Sequence, residues 1–301
     1  MSYIDILREA KDVVTPGMSA CQGCGGELIL RTVLQVSGEN TIIGIPPGCM
    51  AGAGVVGWNY ANGLKIPVHI PLLDNTASFL TGVSQIYERK GRTDVNIVAV
   101  AGDGATADCG FQSLSAAAER NEKMLYVCYD NEGYMNTGYQ RSSTTSRGSR
   151  TSTTPIGSVL NGKQQHQKYL PLIMSMHGLE YCATASPSHM ADFVAKIQKG
   201  LEASKKGFAY LHVFSPCPTG WAYKSEKAIE VARKAVTSNV FPLWEMDKNG
   251  YILTENKKPI TVAEFVQGIG KFKDLTPEVI ESIQEVADAR YAMLKKLAAN
   301  G

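Results

Sequence analysis

Six apolar segments rich in β-branched residues alternate with segments of helical periodicity, and this alternation constrains the fold more than any other feature. The strand-like segments are TIIGI, VHIPLL, NIVAVA, MLYVCY, EYCATA and AYLHVF. Helical periodicity fits ELILRTVLQV, ASFLTGVSQIYERK, FQSLSAAAER and the stretch from Ala191 to Ala203. Strands that alternate with helices form parallel sheets with helices on both faces. The sequence therefore predicts an α/β fold with a mostly parallel sheet.

The chain divides into two predicted parts. Its 301 residues, of which 44% are hydrophobic and 19% charged, are enough to bury one large core. Residues 1–220 carry the alternating pattern, and within them the Ser/Thr/Gly/Arg-rich stretch 140–167 predicts a functional loop or a partner-contacting arm. Residues 221–301 contain a hairpin signal at Asn249-Gly250 and a capped terminal helix that begins at TPEVIES. We expect this extension to pack on the first part or on a partner.

Charge and hydropathy patterns bear on location and partners. The formal net charge is +2, and no Lys/Arg run is interleaved with aromatic residues, as nucleic-acid binding would favour. The N-terminal MSYIDILREAKDVV mixes charged with apolar residues, and no run of about 18 apolar residues occurs. We therefore expect a cytoplasmic protein with neither a signal peptide nor a membrane span, and no nucleic-acid partner. The five histidines show no metal-ligand spacing and are predicted to be structural or surface residues.

Two turns rich in Gly, Asp and Asn follow consecutive predicted strands. Gly102, Asp103 and Gly104 come directly after NIVAVA, and MLYVCY ends in a turn that contains Asn131 and Gly133. Parallel strands end at a common edge of the sheet, which is where ligands bind in such folds. A carboxylate, an amide oxygen and a backbone carbonyl are the hard ligands that Mg²⁺ prefers, so the pair of turns favours a magnesium-held diphosphate over two plain structural turns.

The seven cysteines fall into groups with different predicted roles. An odd number without an export signal argues against a disulfide framework. Cys128 and Cys182 lie inside apolar strands and are predicted to be small core residues. Four others lie among glycine and proline residues, whose irregular backbone can present several thiolates from one side: Cys21, Cys24, Cys49 and Cys217. On spacing alone these four could bind either a structural zinc ion or an iron–sulfur cluster.

These motifs together carry a family resemblance. GDG followed after about 26 residues by Asn131 resembles the diphosphate–magnesium motif of thiamine diphosphate enzymes. The segment NEGYMNTGYQRSS is similar to the corresponding segment in the β subunit of 2-oxoacid:ferredoxin oxidoreductases, the family of pyruvate:ferredoxin oxidoreductase. The resemblance runs from SACQGCGG through GCM, GDG and SPCPTGW to the terminal helices, so it covers nearly the whole chain.

The resemblance implies roles for individual residues. Cys21, Cys24, Cys49 and Cys217 would bind a [4Fe–4S] cluster, and Cys49 would also lie at the cofactor. The turn residues would hold thiamine diphosphate through Mg²⁺: Gly102, Asp103, Gly104, Asn131 and Gly133. Asn136 would lie near the thiazolium ring and the substrate, with Asp108 and Thr137 lining the same pocket. The alternatives are a turn cap for Asp108 and Thr137 and a positive-φ residue for Asn136.

The resemblance also implies an activity and partners. The chain would oxidatively decarboxylate a small 2-oxo acid and pass electrons to its cluster and then to ferredoxin. An α subunit would supply the aminopyrimidine-binding domain and its Glu, further subunits would carry ferredoxin-like clusters, and the whole would form a dimer of hetero-oligomers. Two other hypotheses remain open: a non-catalytic iron–sulfur electron-transfer subunit, and half of a non-oxidative decarboxylase with structural zinc.

The substrate hypothesis depends on two arginines. Pyruvate-type members have aromatic residues in the loop where this chain reads SSTTSRGSRTSTTP, which includes Arg147 and Arg150. Guanidinium groups pair with carboxylates, so these residues favour a more anionic substrate. We therefore predict oxidation of oxalate to two CO₂ without coenzyme A, with pyruvate and coenzyme A as the alternative that yields acetyl-CoA. If both arginines are solvated or contact a partner, this argument for oxalate fails.

Overall fold

A computed structural model of the chain describes residues 3–9, 11–15, 19–52, 63–159 and 161–299. Its strands are β1 (Thr41–Gly44), β2 (Val68–His69), β3 (Asn96–Gly102), β4 (Met124–Asp130), β5 (Tyr181–Ala185), β6 (Phe208–Phe214), β7 (Trp244–Asp247) and β8 (Gly250–Leu253). Within these residues the strands form one sheet in the order β2-β1-β3-β4-β6-β5-β7-β8. Strands β1 to β6 pair in parallel, and the hairpin β7–β8 adds antiparallel to β5.

The α-helices connect the strands and cover the sheet. They are α1 (Tyr3–Arg8), α2 (Gly25–Ser37), α3 (Thr76–Arg89), α4 (Phe111–Glu119), α5 (Leu170–Ser175), α6 (Met190–Ser204), α7 (Pro218–Trp221), α8 (Ala228–Thr237), α9 (Val262–Val266) and α10 (Pro277–Ala299). One core layer contains α2 and α6, and the opposite layer contains α3, α4 and α5. The α/β class, the mostly parallel sheet and the helices on both faces are therefore confirmed. Among the described residues, no helix is long and apolar enough to cross a membrane.

Strand β4 explains why this sheet needs helices on both sides. All seven of its residues are buried. Leu125 and Val127 point into the layer of α2 and α6. Met124, Tyr126 and Cys128 point into the layer of α3, α4 and α5. Alternate side chains leave a strand on opposite faces, and each fully buried Leu or Val stabilises the fold by roughly 1.5–3 kcal/mol, so either face left bare would be costly. Cys128 and Cys182 lie in this core, as predicted.

The C-terminal region adds a third group of buried side chains beside the end of β6. Phe214 and Trp221 pack there against residues of α8, α9 and α10. The predicted hairpin forms β7 and β8, and the predicted terminal helix is the 23-residue α10. Both elements contact the α/β sheet directly, since β7 pairs with β5 and Leu294 of α10 packs into the sheet core. The C-terminal segment therefore lies close to the carboxyl ends of the parallel strands.

Candidate cofactor and metal site

The carboxyl ends of β3 and β4 bring the two predicted turns together. Gly102 of β3 pairs with Tyr129 of β4, so the residues that follow each strand are neighbours in space. Asp103 is fully buried and Asn131 is 8% exposed. Polar side chains are buried at the end of a sheet only when they have partners or a ligand. This edge of the sheet is therefore the place to look for a bound group.

Three oxygen atoms converge at this edge. The Asn131 side-chain oxygen lies 3.0 Å from Asp103 Oδ1 and 2.8 Å from the Gly133 carbonyl oxygen. Neighbouring ligands of an octahedral magnesium ion with bonds of about 2.1 Å lie about 3.0 Å apart, which is close to both separations. Turning the Asn131 amide by 180° would instead let its nitrogen donate a hydrogen bond to each of the other two oxygens. The three oxygen atoms thus fit Mg²⁺, and with the amide turned the same three residues can instead hydrogen-bond to one another.

Gly104 is required because the backbone passes very close to an aromatic ring. A Cβ atom at Gly104 would lie 2.4 Å from Cε1 of Tyr134. The Tyr134 hydroxyl donates a hydrogen bond to the Gly104 carbonyl oxygen at 3.2 Å. Any larger residue at position 104 would push this ring away from the turn that carries Asp103. The second glycine of GDG therefore keeps the two turns in contact.

Asp103 and Asp130 are buried side by side and are stabilised differently. Burial and the negative charge of Asp130 raise the pKa of Asp103 well above its ordinary value, although the Thr144 hydroxyl contacts Asp103 Oδ2 at 3.0 Å. Burial alone would also raise the pKa of Asp130, but a hydrogen bond from His212 at 2.9 Å and other donors hold it below its ordinary value. Asp130 therefore stays ionised, whereas Asp103 needs a cation to do so.

His212 is a contributor that the sequence did not reveal. The sequence predicts a structural or surface residue at this position. The structure shows that His212 is buried: one ring nitrogen hydrogen-bonds to the Asp130 carboxylate, and the other hydrogen-bonds to the Tyr210 hydroxyl at 2.7 Å. The pairing of β4 with β6 places His212 opposite Cys128, two residues before Asp130. Strand order, which the sequence pattern does not give, was the missing signal.

The predicted cofactor residues line one cavity of about 150 Å³, called here the turn cavity. The following predicted residues contribute to its wall: Cys49, Gly102, Asp103, Gly104, Asn131, Gly133, Asn136 and Thr137. Asp108 is not among them. Both of its carboxylate oxygens accept the Ser143 N–H, at 3.2 and 3.1 Å, so it anchors the start of the Ser/Thr-rich loop. The structure therefore gathers the predicted cofactor residues apart from Asp108.

The four Gly/Pro-flanked cysteines line a second, larger cavity of about 370 Å³, called here the cysteine cavity. Cys24 immediately precedes α2, and Cys217 immediately precedes α7, where its sulfur accepts the Gly220 N–H at 3.3 Å. Cys49 follows β1, and Cys21 lies one turn before Cys24. Three separate segments of chain thus bring thiols to one space, as the sequence predicted for a ligand set.

Burial makes three thiols of the cysteine cavity, those of Cys24, Cys49 and Cys217, harder to ionise, because it raises the pKa of each. Burial, with a smaller contribution from the neighbouring cysteines, raises the pKa of Cys24 to about 11 and that of Cys49 to about 12. Burial also raises the pKa of Cys217. Among the described residues, no three His, Cys, Asp or Glu side chains are grouped closely enough to hold a single metal ion.

The two cavities have a common wall. Cys49, Tyr129, Asn131 and Asn136 line both of them. Tyr129 is buried, and its hydroxyl lies near Gly48 and Gly102, where an added Cβ would be 3.3 Å away in each case. Groups bound in the two cavities would consequently be separated by single side chains.

The two arginines of the substrate hypothesis lie elsewhere. Arg147 donates a hydrogen bond to the Ser282 hydroxyl of α10 at 2.5 Å and contacts the His166 ring nitrogen at 3.2 Å. Arg150 is exposed, and its backbone N–H is bound to the Lys271 carbonyl oxygen. Neither residue lines the turn cavity or the cysteine cavity.

The chain is similar in sequence to a known domain family and to several known proteins. Residues 63–213 match the family model described as thiamine pyrophosphate enzyme, C-terminal TPP binding domain. The chain is 50% identical over 277 residues to NADH-dependent phenylglyoxylate dehydrogenase subunit beta of Aromatoleum evansii, covering 91% of this chain and 62% of that relative. It thus spans less than two thirds of that protein's length.

Other relatives match over almost their entire length. Pyruvate synthase subunit PorB of Methanothermobacter thermautotrophicus is 40% identical over 93% of this chain and 96% of its own length. Ketoisovalerate oxidoreductase subunit VorB of Pyrococcus furiosus is 38% identical, and the match covers 94% of this chain and 92% of that relative. A structure of 2-oxoglutarate:ferredoxin oxidoreductase from Magnetococcus marinus shares the fold, with a TM-score of 0.57 and 22% identity over 74% of this chain and 79% of that one. Given these matches, the chain belongs to the β subunits of the 2-oxoacid:ferredoxin oxidoreductase family, with a thiamine diphosphate-binding domain.

Proposed function

We propose that the chain is the catalytic subunit in which a 2-oxo acid is oxidatively decarboxylated and its electrons are passed to a [4Fe–4S] cluster. The observation that carries this proposal is the common wall of the turn cavity and the cysteine cavity. Oxidative decarboxylation with an iron–sulfur cluster as the electron acceptor requires the carbon-activating cofactor to lie beside that cluster. A non-catalytic electron-transfer subunit would have no use for a carboxylate, an amide oxygen and a carbonyl oxygen gathered next to its thiols.

The chain's own residues would hold the diphosphate end of the cofactor. Asp103, Asn131 and Gly133 offer Mg²⁺ three oxygen ligands, and the diphosphate and water would complete its coordination. Bound thiamine diphosphate supplies a carbon nucleophile and an electron sink for decarboxylation. Asn136 lines the turn cavity and can donate hydrogen bonds to the substrate through its amide. Thr137 also lines this cavity, but its hydroxyl already donates to Gln140 Oε1, so it can only accept from the substrate.

An iron–sulfur cluster fits the cysteine cavity better than zinc does. A cubane cluster spreads its four thiolates over separate iron atoms, whereas zinc draws four sulfurs around one ion. The cavity of about 370 Å³ favours the wider arrangement. Cluster binding would also compensate the raised pKa values of Cys24 and Cys49, because iron stabilises the thiolate form.

The proposal requires partner subunits. The matched relatives are themselves named as subunits β, PorB and VorB. The chain offers one set of oxygen ligands for the diphosphate end, and an α subunit is proposed to supply the aminopyrimidine-binding domain and its Glu. Further subunits with ferredoxin-like clusters, ferredoxin as acceptor and a dimer of such hetero-oligomers complete the proposed assembly.

The placement of the arginines changes the preferred substrate. Arg147 is bound to Ser282, and Arg150 is exposed outside both cavities, so neither offers a second carboxylate a counter-charge there. We therefore propose a 2-oxo acid with an uncharged side group, such as pyruvate or phenylglyoxylate, in preference to oxalate. The apolar lining residues Leu73 and Met135 of the turn cavity are consistent with that preference.

The test is cluster reduction in the anaerobically purified complex that contains this chain. Pyruvate, phenylglyoxylate and oxalate are added separately, with and without coenzyme A, and reduction is followed by visible absorbance and electron paramagnetic resonance. We expect the cluster to be reduced by pyruvate or by phenylglyoxylate, the two acids whose side group is uncharged. Reduction by oxalate alone, without coenzyme A, would contradict the substrate proposal.

A matched variant separates the cofactor from the cluster. The Asp103→Asn complex should keep its iron content and its chromophore but lose substrate-dependent reduction. If the wild-type complex holds neither iron nor thiamine diphosphate, the proposed function is wrong.

A further inference from the structure

A segment far along the chain holds the turn between Asn131 and Gly133. The indole N–H of Trp221 donates a hydrogen bond to the Asn131 backbone carbonyl at 2.9 Å. Lys271 Nζ lies 2.6 Å from Glu132 Oε2, and both side chains of this ion pair are buried. The C-terminal region therefore contacts two consecutive residues of the turn from one side.

Lys271 and Trp221 form one unit. The ammonium nitrogen of Lys271 lies 3.1 Å from the centroid of the Trp221 ring, so the positive charge is stabilised by the ring face as well as by the Glu132 carboxylate. A buried ammonium group without such partners would be strongly destabilising. Movement of Lys271 would consequently disturb both contacts to the turn.

Glu132 has the one backbone conformation in the turn that a non-glycine residue avoids. Its φ is +61°, in the left-handed region. Its carboxylate also accepts hydrogen bonds from Ser146 N at 3.0 Å, from Ser146 Oγ at 2.6 Å and from Gln167 Nε2 at 3.1 Å. Residues in sparsely populated conformations persist when surrounding contacts fix them, and they concentrate at ligand sites. The backbone at Glu132 decides where the Gly133 carbonyl points, relative to Asn131 and Asp103.

We propose that Lys271 is a positioning residue for the metal site: through Glu132 and Trp221 it fixes the turn so that the Asn131 and Gly133 oxygens converge on Asp103. The inference rests on the proposed function, because it assigns Lys271 to the Mg²⁺ and diphosphate end of that site. It deepens that function by making cofactor affinity depend on the C-terminal segment. Lys271 itself touches neither of the proposed ligand side chains.

The test measures cofactor affinity in the complex after its thiamine diphosphate and Mg²⁺ have been removed. Lys271→Met keeps most of the side-chain volume and removes the charge. By isothermal titration calorimetry we expect the Kd for Mg²⁺, at saturating thiamine diphosphate, to rise at least tenfold, which corresponds to about 1.4 kcal/mol. In the reconstituted enzyme the KM for thiamine diphosphate should rise by a larger factor than any fall in kcat.

The matched control is another buried lysine. Lys196 is 3% exposed, pairs with Asp192 at 2.9 Å and lies on α6, away from the turn. Lys196→Met should lower the unfolding temperature as Lys271→Met does, while its Kd for Mg²⁺ stays within twofold of wild type. Equal Kd values in the Lys271→Met and wild-type complexes would overturn the inference while leaving the proposed function intact.

Two further outcomes are informative. If Lys271→Met does not fold, the double variant Lys271→Met with Glu132→Gln removes both charges and avoids an unpaired buried carboxylate. The same tenfold rise in Kd is expected there, and an unchanged Kd would overturn the inference. If the wild-type complex itself binds no thiamine diphosphate with Mg²⁺, the proposed function fails and the inference with it.

Discussion

Asp103 and Asp130 share a single hydroxyl group. Thr144 Oγ1 lies 3.0 Å from Asp103 Oδ2 and 2.8 Å from Asp130 Oδ1. A hydroxyl carries one proton and can donate it to only one of these two carboxyl groups at a time, and Asp130 also has donors in the Glu132 N–H and His212. A divalent cation at Asp103 would remove that conflict, because it stabilises the charge that the hydroxyl cannot.

The first prediction concerns this hydroxyl. Thr144→Val should lower the free energy of unfolding by about 1–3 kcal/mol, because the donor that the two buried carboxyl groups share is lost and nothing replaces it. Chemical denaturation in urea, followed by far-UV circular dichroism at pH 7, measures the change.

Thr41 provides the matched control for Thr144. It is buried on β1, and its hydroxyl finds no hydrogen-bond partner among the described residues. Thr41→Val removes an unsatisfied polar group and should be neutral or stabilising. Equal losses in the two variants would mean that the Thr144 contacts to the carboxylates contribute nothing specific.

The second prediction is that replacing Asp103 stabilises the cofactor-free complex but removes its response to the cofactor. Burial and the charge of Asp130 raise the pKa of Asp103, so the folded chain resists ionising this group while the unfolded chain ionises it at ordinary acidic pH. Stability from this group therefore falls as pH rises above about 4. Asp103→Asn should raise the unfolding temperature of the cofactor-free complex at pH 7, by about 2–4 °C for each kcal/mol gained.

Differential scanning fluorimetry with and without Mg²⁺ and thiamine diphosphate measures both the stability of the cofactor-free complex and the gain on cofactor binding. Wild type should gain stability on adding the cofactor, and Asp103→Asn should gain none. The gap between the two cofactor-free proteins should shrink at pH 4, where the carboxyl group is protonated in both states. An Asn variant that is less stable at pH 7 would contradict the account of Asp103.

Local sequence patterns were enough to predict the sheet and the two turns. Continuous apolar strands such as MLYVCY require cover on both faces, and GDG with the Asn131 turn follows two strands that are paired side by side. The grouping of the four cysteines of the cysteine cavity could be predicted for a similar reason, because they lie in Gly- and Pro-rich segments at strand and helix ends. The boundary proposed at residue 220 stays a prediction.

Contacts between distant segments could not be predicted from such patterns. Glu132 and Lys271 are 139 residues apart, and only the packed structure shows that they meet. The direction of Arg147 depends on how loop 140–167 is fixed by buried contacts, including that of Asp108 with Ser143, and no periodicity encodes that path. The residue types of the loop predict an anionic substrate, whereas the packing of the loop places the Arg147 guanidinium group against Ser282 of α10.

The third prediction tests the thiol ligands. Cys217→Ser should cut the iron content of the anaerobically purified complex by at least half, because one cluster ligand is lost. Serine is a good N-cap, so its oxygen can still accept the Gly220 N–H at the start of α7 and the fold should be retained. Iron and acid-labile sulfide are assayed per chain, and zinc is measured in parallel.

Cys109 is the control thiol for this experiment. It is exposed, its sulfur lies 3.3 Å from the Gly104 carbonyl oxygen, and it does not line the cysteine cavity. Cys109→Ser should leave the iron content unchanged. Stoichiometric zinc in the wild-type complex, with iron absent, would show that the cluster assignment is wrong.

The fourth prediction is a pH dependence that arises in the Ser/Thr-rich loop. The buried Lys163 ammonium donates hydrogen bonds to the carbonyl oxygens of Ser143, at 3.0 Å, and Thr145, at 2.5 Å. Burial, together with the charge of Arg141, lowers the pKa of Lys163 from 10.5 to about 8. Below pH 8 both the folded and the unfolded chain keep this proton, so the cost of burying the charge is fully present.

Between pH 8 and 10.5 the folded chain releases the Lys163 proton while the unfolded chain still binds it, so this group's contribution to stability rises with pH. Relative to Lys163→Met, the wild-type free energy of unfolding should therefore increase by about 1–2 kcal/mol from pH 7 to 9.5. Lys163→Arg keeps a positive charge that does not titrate in this range and should remove the same pH dependence. Urea denaturation of the three proteins at a series of pH values decides the matter, and a pH dependence that persists in the Arg variant would assign it to another group.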